Sequence, residues 1–303
     1  MDAVPYNFAH DVLGLINVFD STEYEYFPTV WREAAKQHFE KRIDFVIGFG
    51  SEISITRSGR FTCDDNKYSS LQEFIESDRR YVRISRVAIN ATIRDDVLIR
   101  RFVTFVATQM TPPSFFFVRL QNVDETTFEI LKIFEKFAFF DCFEMRYFGA
   151  PSDAYLFNVL RTKNLRRLTL SGNWNLHENY MTDFIKSERF NELDISESDG
   201  LMVTFGMFQA LFNRWIEEEG KYLISVVGRR GYELERAEAY VQEVFTDSDI
   251  SNGYIECQLS GSTFRAFSEK ENFICLESYL NVMVNMSFPP TDVLANKAVF
   301  KQV

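Results

Sequence analysis

Glycine and proline are scarce in this chain, 13 and 7 among 303 residues, which excludes collagen-like and low-complexity architectures. The 4 cysteines, Cys63, Cys142, Cys257 and Cys275, are scattered with no CxxC pair, so neither a disulfide framework nor a thiolate zinc site is expected. Buried free thiols are. Histidine is nearly absent: His10 and His38 fall on helical segments, and His177 has no cysteine or second histidine near it to share a metal. No apolar run reaches the roughly 20 residues of a membrane span, because Arg100 and Arg101 precede Phe102 to Ala107. Nor does a basic start lead into an apolar stretch, so a secretory signal is not expected and the expected location is cytoplasmic or nuclear. Positive charge is also short. Lys+Arg 33 against Asp+Glu 44 gives a net charge of −11, which argues against general nucleic-acid affinity.

Catalytic signatures are missing as well. There is no GxxxxGK[ST] loop, no HExxH and no GxSxG elbow, and Gly48-Phe49-Gly50 lacks the third glycine of a dinucleotide fingerprint. Adjacent carboxylates such as Asp64-Asp65 and Asp95-Asp96 read as solvated pairs. The expectation is a protein that is not an enzyme and needs no cofactor or metal. An enzyme of unrecognised type would instead show a deep pocket with strongly shifted titratable groups.

What the chain has in abundance is phenylalanine. With 32 Phe, 13 Tyr and 46% hydrophobic residues, it has ample material for a core built on aromatic rings. Three stretches differ in rhythm. Residues 1–42 read as two short helices, with Val4, Phe8, Val12, Leu13 and Ile16 on one face of the first and Trp31, Ala34, Ala35, His38 and Phe39 on one face of the second. Residues 43–70 alternate apolar positions around glycines, as a β-hairpin connector would. From 71 to 303, short strand cores recur every 23 to 33 residues: Val87-Ile89, Val118-Leu120, Met145-Tyr147, Leu168-Leu170, Leu193-Ile195, Ile224-Val226 and Cys257-Leu259. Between them lie segments of helical period, Asp95 to Met110, Asp124 to Phe137, Pro151 to Lys163, Asn179 to Phe190, Val203 to Glu219 and Tyr232 to Phe245. The fold class is therefore α/β: a short helical N-terminus followed by an irregular strand-helix solenoid. A doubly wound α/β domain would give the same alternation.

Two motifs carry resemblances. Leu165-Arg-Arg-Leu168-Thr-Leu170-Ser-Gly-Asn173 resembles the leucine-rich-repeat pattern LxxLxLxxN, in which the asparagine packs its amide against backbone at the turn, and Ser198 stands at that place in the next copy. Val4-Pro5-Tyr6-Asn7-Phe8 with Val12, Leu13 and Ile16, then Trp31-Arg32, resembles an F-box of the nematode type, with 26 residues from Pro5 to Trp31. That resemblance implies docking to the Skp adaptor of a cullin-RING ubiquitin ligase through Val4, Pro5, Phe8, Val12, Leu13, Ile16 and Trp31, with the repeat domain choosing a protein substrate. The same residues could instead pack as a helical cap on the first repeat. A stand-alone module that sequesters or neutralises a partner is the alternative function.

In a solenoid the polar positions flanking each apolar pair form an exposed sheet face. Arg86, Arg119, Arg146 and Arg167 are expected there at equivalent positions, with Phe117, Glu144, Phe148 and Thr169 beside them and Glu192 and Asp194 reversing the sign. Such a face suits an acidic or aromatic protein segment rather than nucleic acid or membrane. Alternatively, the arginines pair with carboxylates such as Glu144.

Overall fold

Alternating apolar and polar residues set the strands, and apolar residues at three- and four-residue spacing set the helices between them. A computed structural model describes residues 5, 8–9, 12–13, 26–58, 70–77, 79–94, 96–175, 178–245, 248–251, 254–259, 262–270 and 273–280. Helix α1 (Thr29–Lys41) leads into β1 (Ile43–Phe49), which pairs antiparallel with β2 (Ile53–Ser58). A short helix α2 (Leu71–Ile75) precedes β3 (Val82–Ile89). Then follow α3 (Val97–Gln109), β4 (Met110–Val118), α4 (Glu125–Phe137), β5 (Cys142–Arg146), α5 (Pro151–Thr162) and β6 (Arg167–Ser171). Next come α6 (Glu178–Ile185), β7 (Glu192–Asp194), α7 (Phe205–Glu217), β8 (Ser225–Arg229) and α8 (Leu234–Val244). Four strands finish the sheet: β9 (Ser248–Ser251), β10 (Tyr254–Leu259), β11 (Ser262–Lys270) and β12 (Phe273–Leu280).

The described strands form one 12-stranded sheet in the order β2-β1-β3-β4-β5-β6-β7-β8-β12-β11-β10-β9. From β3 to β8 the strands lie side by side in chain order and run parallel, each joined to the next through a helix. A doubly wound sheet needs a reversal of strand order, and this stretch has none. Right-handed crossovers that always advance in one direction put every helix on the same side. Among the described residues no helix covers the other side. Burial follows that geometry: Val87, Ile89, Phe116, Val118, Phe143, Met145, Leu168, Leu170, Leu193 and Val226 are buried, while the residues between them are mostly half-buried or exposed. Beyond β8 the pairing turns antiparallel.

The hairpin β1–β2 is part of this sheet rather than a connector. Strand β1 pairs parallel with β3, and Phe45, Ile47 and Phe49 enter the same core as Leu276 near the chain's other end. Phenylalanine fills that core. Phe74 meets Phe45 edge-on at 5.1 Å, Phe49 lies 6.2 Å from Phe134, and Phe116 lies 4.8 Å from Phe134 and 5.1 Å from Phe140. At the far side Phe264 sits 5.1 Å from Phe212 and 5.5 Å from Trp215, whose indole N–H donates to Ser262 Oγ at 2.9 Å. Each fully buried ring contributes about 1.5–3 kcal/mol by removal from water.

Two local expectations need correction. The Asn173 side chain is exposed, so it does not form the buried amide of a leucine-rich repeat. Trp174 takes the interior instead, donating its ring N–H to Ser171 O at 2.9 Å, and buried Ser198 accepts from Leu201 N at 3.1 Å. Gly200 makes this turn possible, because a Cβ there would lie 1.8 Å from the Trp174 carbonyl oxygen. The strand expected at Val118-Arg119-Leu120 ends at Val118, since β4 begins earlier, at Met110.

Arg214 on α7 is buried and donates to the carbonyls of Ile185, Ser187 and Glu188 at the end of α6, the Ile185 bond being 2.8 Å, while Glu218 accepts from its Nε at 3.1 Å. It supplies donors that a helix C-terminus lacks. Arg214→Met is expected to lower stability by about 1–3 kcal/mol, the cost of leaving partly buried carbonyls without their donor. Urea denaturation followed by circular dichroism would measure it, and an unchanged midpoint would contradict the clamp.

Candidate functional site

The uncovered face is organised by register. One row across the sheet runs Arg86, Phe115, Cys142, Arg167, Glu192 and Ser225. The next runs Ala88, Phe117, Glu144, Thr169, Asp194 and Val227. Arg146 pairs with Ser171 one step beyond, and Arg119 follows directly on the end of β4. The four arginines thus do not form a single row. Arg86 and Arg167 share one, whereas Arg119 and Arg146 lie further along their strands.

Phe115 and Phe117 are half-buried on this solvent side and stack with their planes 3° apart at 6.1 Å. Arg86 holds its guanidinium 5.5 Å from each ring centre, and Arg119 sits 4.8 Å from Phe117. Each such contact is worth about 0.5–1 kcal/mol at an exposed site. The guanidiniums shelter the ring surfaces that no helix covers. Arg119 also donates from Nε to Glu144 Oε1 at 2.7 Å, and Arg167 lies 3.7 Å from Glu192. Pairing with neighbouring carboxylates therefore accounts for two of the four arginines. Arg146 is exposed and makes no ion pair or hydrogen bond among the described residues.

Phe148 is not on the face. The strand ends at Arg146, Gly149 turns the chain at φ +114°, and Phe148 is buried with its N–H donating to Ser152 Oγ at 2.9 Å. Period two fails where the strand stops. Phe115 takes the place foreseen for Phe148, and counting back two from Phe117 would have found it. Asp194 keeps its register position but is buried, accepting from Ser196 N at 3.0 Å and from the Ser196 hydroxyl at 2.6 Å. It offers little to a partner.

Cys142 lies in the first row, where burial, with Asp141 beside it, pushes its thiol up to about 12. It is protonated at neutral pH and unsuited to nucleophilic attack. Farther along the sheet, the Tyr254 hydroxyl and Arg265 hold the Glu256 carboxyl below its ordinary value. Among the described residues no group of three His, Cys, Asp or Glu side chains could hold a metal ion, and no helix is long and apolar enough to cross a membrane. On the helical side, a half-open cavity of about 390 Å³ separates α5 from α6, walled by Phe157, Leu160, Tyr180 and Phe184.

The N-terminal residues form a second apolar cluster, distinct from the core of the sheet. Ala9, Leu13, Ala34 and Ala35 are buried together, with Phe27, Val30 and Trp31 against them. Leu13 is a core residue of this cluster and Val12 is half-buried, whereas Pro5 is exposed and Phe8 is 55% exposed, its ring edge-on to Trp31 at 6.4 Å. The Trp31 indole nitrogen is buried without a hydrogen-bond partner among the described residues. Val4 and Ile16 lie outside the described residues. Contact with the sheet runs through α1, where Tyr81 donates to Gln37 Oε1 at 3.1 Å and packs 5.7 Å from His38. Comparison with protein-family models, curated proteins and solved structures found no match.

Arg119→Gln is expected to change stability by less than about 1 kcal/mol, because the ion pair is half in water; a larger loss in thermal unfolding would make Arg119 a structural residue. Iodoacetamide is expected to leave Cys142 unmodified in the native protein at neutral pH and to label it in urea, read by peptide mass spectrometry. As pH rises from 9.0 toward about 12 the unfolded chain alone sheds this proton, so stability falls there.

Proposed function

We propose that the protein is a non-catalytic substrate-recognition adaptor of a Skp-cullin-F-box ubiquitin ligase. Its N-terminal helices dock the Skp adaptor, and the uncovered sheet face binds a target protein. The observation that carries this reading is Phe8, a large aromatic left 55% exposed on a small apolar cluster that stands apart from the main core. A helical cap on the sheet would have turned that ring inward. The spacing of 26 residues from Pro5 to Trp31 supports the same assignment. The described part of this cluster buries little surface, and a partner that covers Phe8 and Pro5 adds to it. The docking set is accordingly narrower than the sequence suggests, since Leu13 is spent within the cluster. On this reading the protein acts in the cytoplasm or nucleus.

The same burial of Leu13 favours a second reading, a stand-alone module that sequesters its partner without a ligase. Pull-down with the Skp adaptor separates the two. The intact chain is expected to retain the adaptor at micromolar concentration, and Phe8→Ala combined with Trp31→Ala is expected to release it while the thermal transition of the sheet stays in place. Absence of binding by the intact chain, or equal binding by the double variant, would remove the ligase role.

A further inference from the structure

The exposed sheet face is not uniform in charge, and its composition bears on what it recognises. Among the described residues of β3 to β5 and the residue that follows β4, it presents Arg119 and Arg146 beside the carboxylate Glu144, next to the stacked Phe115 and Phe117 rings over which Arg86 lies. On β6 and β7 the charges close on themselves: Arg167 is paired with Glu192, and Asp194 is held by Ser196. The surplus of positive charge is therefore local, on a chain whose net charge is −11. Arg146 is its clearest element, an exposed guanidinium with no partner among the described residues. Arg119 uses Nε for Glu144, and its outer nitrogens have no acceptor among the described residues.

We infer that this basic-aromatic patch is the anchor for an acidic, extended segment of a protein partner. Carboxylates of the segment engage the outer nitrogens of Arg119 and Arg146 in the bidentate geometry that guanidinium favours. An apolar side chain beside them covers the Phe115 and Phe117 rings. From β3 to β5 is two strand spacings, about 10 Å, which an extended segment crosses in about three residues. The recognised element is thus short: an apolar residue flanked by acids. This inference rests on the proposal that the open face binds the target protein. Arginine and phenylalanine on a sheet can also stack nucleic-acid bases, but Glu144, Glu192 and the net charge of −11 oppose a phosphate backbone along the same surface.

The test uses the full chain and a short fluorescein-labelled peptide of alternating Glu and Phe, its Lys-for-Glu counterpart, and an oligo-dT strand, compared by fluorescence anisotropy. The Glu-Phe peptide is expected to bind, to weaken about tenfold in Arg146→Glu, and to weaken again with added salt. The Lys-Phe peptide and oligo-dT are expected to bind at least about tenfold less tightly. Arg146 is exposed, so its variant should fold, and Arg119→Gln is an independent check with a smaller expected loss. Preference for the Lys-Phe peptide, tighter binding of oligo-dT, no binding of any probe, or Glu-Phe binding unaffected by Arg146→Glu would each overturn the inference. Retained Skp-adaptor binding alongside any of these would leave the adaptor reading standing and remove only the acidic-segment chemistry.

Discussion

Parallel strands laid down in chain order, each returning through a helix of one hand, admit helices on only one side of the sheet. The packing of both faces from β3 to β8 answers to that constraint. The covered side must be filled by the side chains of single strands and single helices, without a second helical layer to complete it. Phenylalanine suits the task because one ring spans much of the gap between a strand and the helix above it, as Phe116 does between Phe134, Phe140 and Phe143. The uncovered side must instead be wettable, and so each strand alternates instead of reading as a continuous apolar run.

The uncovered side solves a second problem in its own way. Phe115 and Phe117 point toward water, and their faces are sheltered by Arg86 and Arg119 rather than by a helix. Aliphatic stems and planar guanidiniums cover apolar surface while keeping their charge hydrated. The result is a patch at once apolar and cationic, on a molecule that is acidic overall. Bulk charge is a poor guide to it, because charges are read by a partner within about a Debye length, roughly 10 Å.

The N-terminal cluster stands under a different constraint, that of size. Among the described residues, four small or medium buried residues and three partly buried aromatics and aliphatics leave Phe8 55% exposed. Among the described residues its link to the sheet is polar and aromatic, through Gln37, His38 and Tyr81. Two surfaces of different chemistry are thereby carried on one chain, an apolar one at Phe8 and Pro5 and a cationic one at Arg119 and Arg146.

Helices were legible to within a few residues because their signal is local. Pro151 to Lys163 was expected and Pro151–Thr162 is formed; Asp124 to Phe137 was expected and Glu125–Phe137 is formed, with Asp124 as the cap. The sequence by itself determined the strand-helix alternation, the aromatic core and which positions of a strand share a face, since all of these follow from periodicities of two and 3.6. Tertiary structure alone decided that β1 joins β3, that Phe148 turns inward, that Trp174 displaces Asn173 from the interior, and which arginines find carboxylates. Those outcomes depend on where a strand stops and on what lies one strand spacing away, distances that no local pattern encodes.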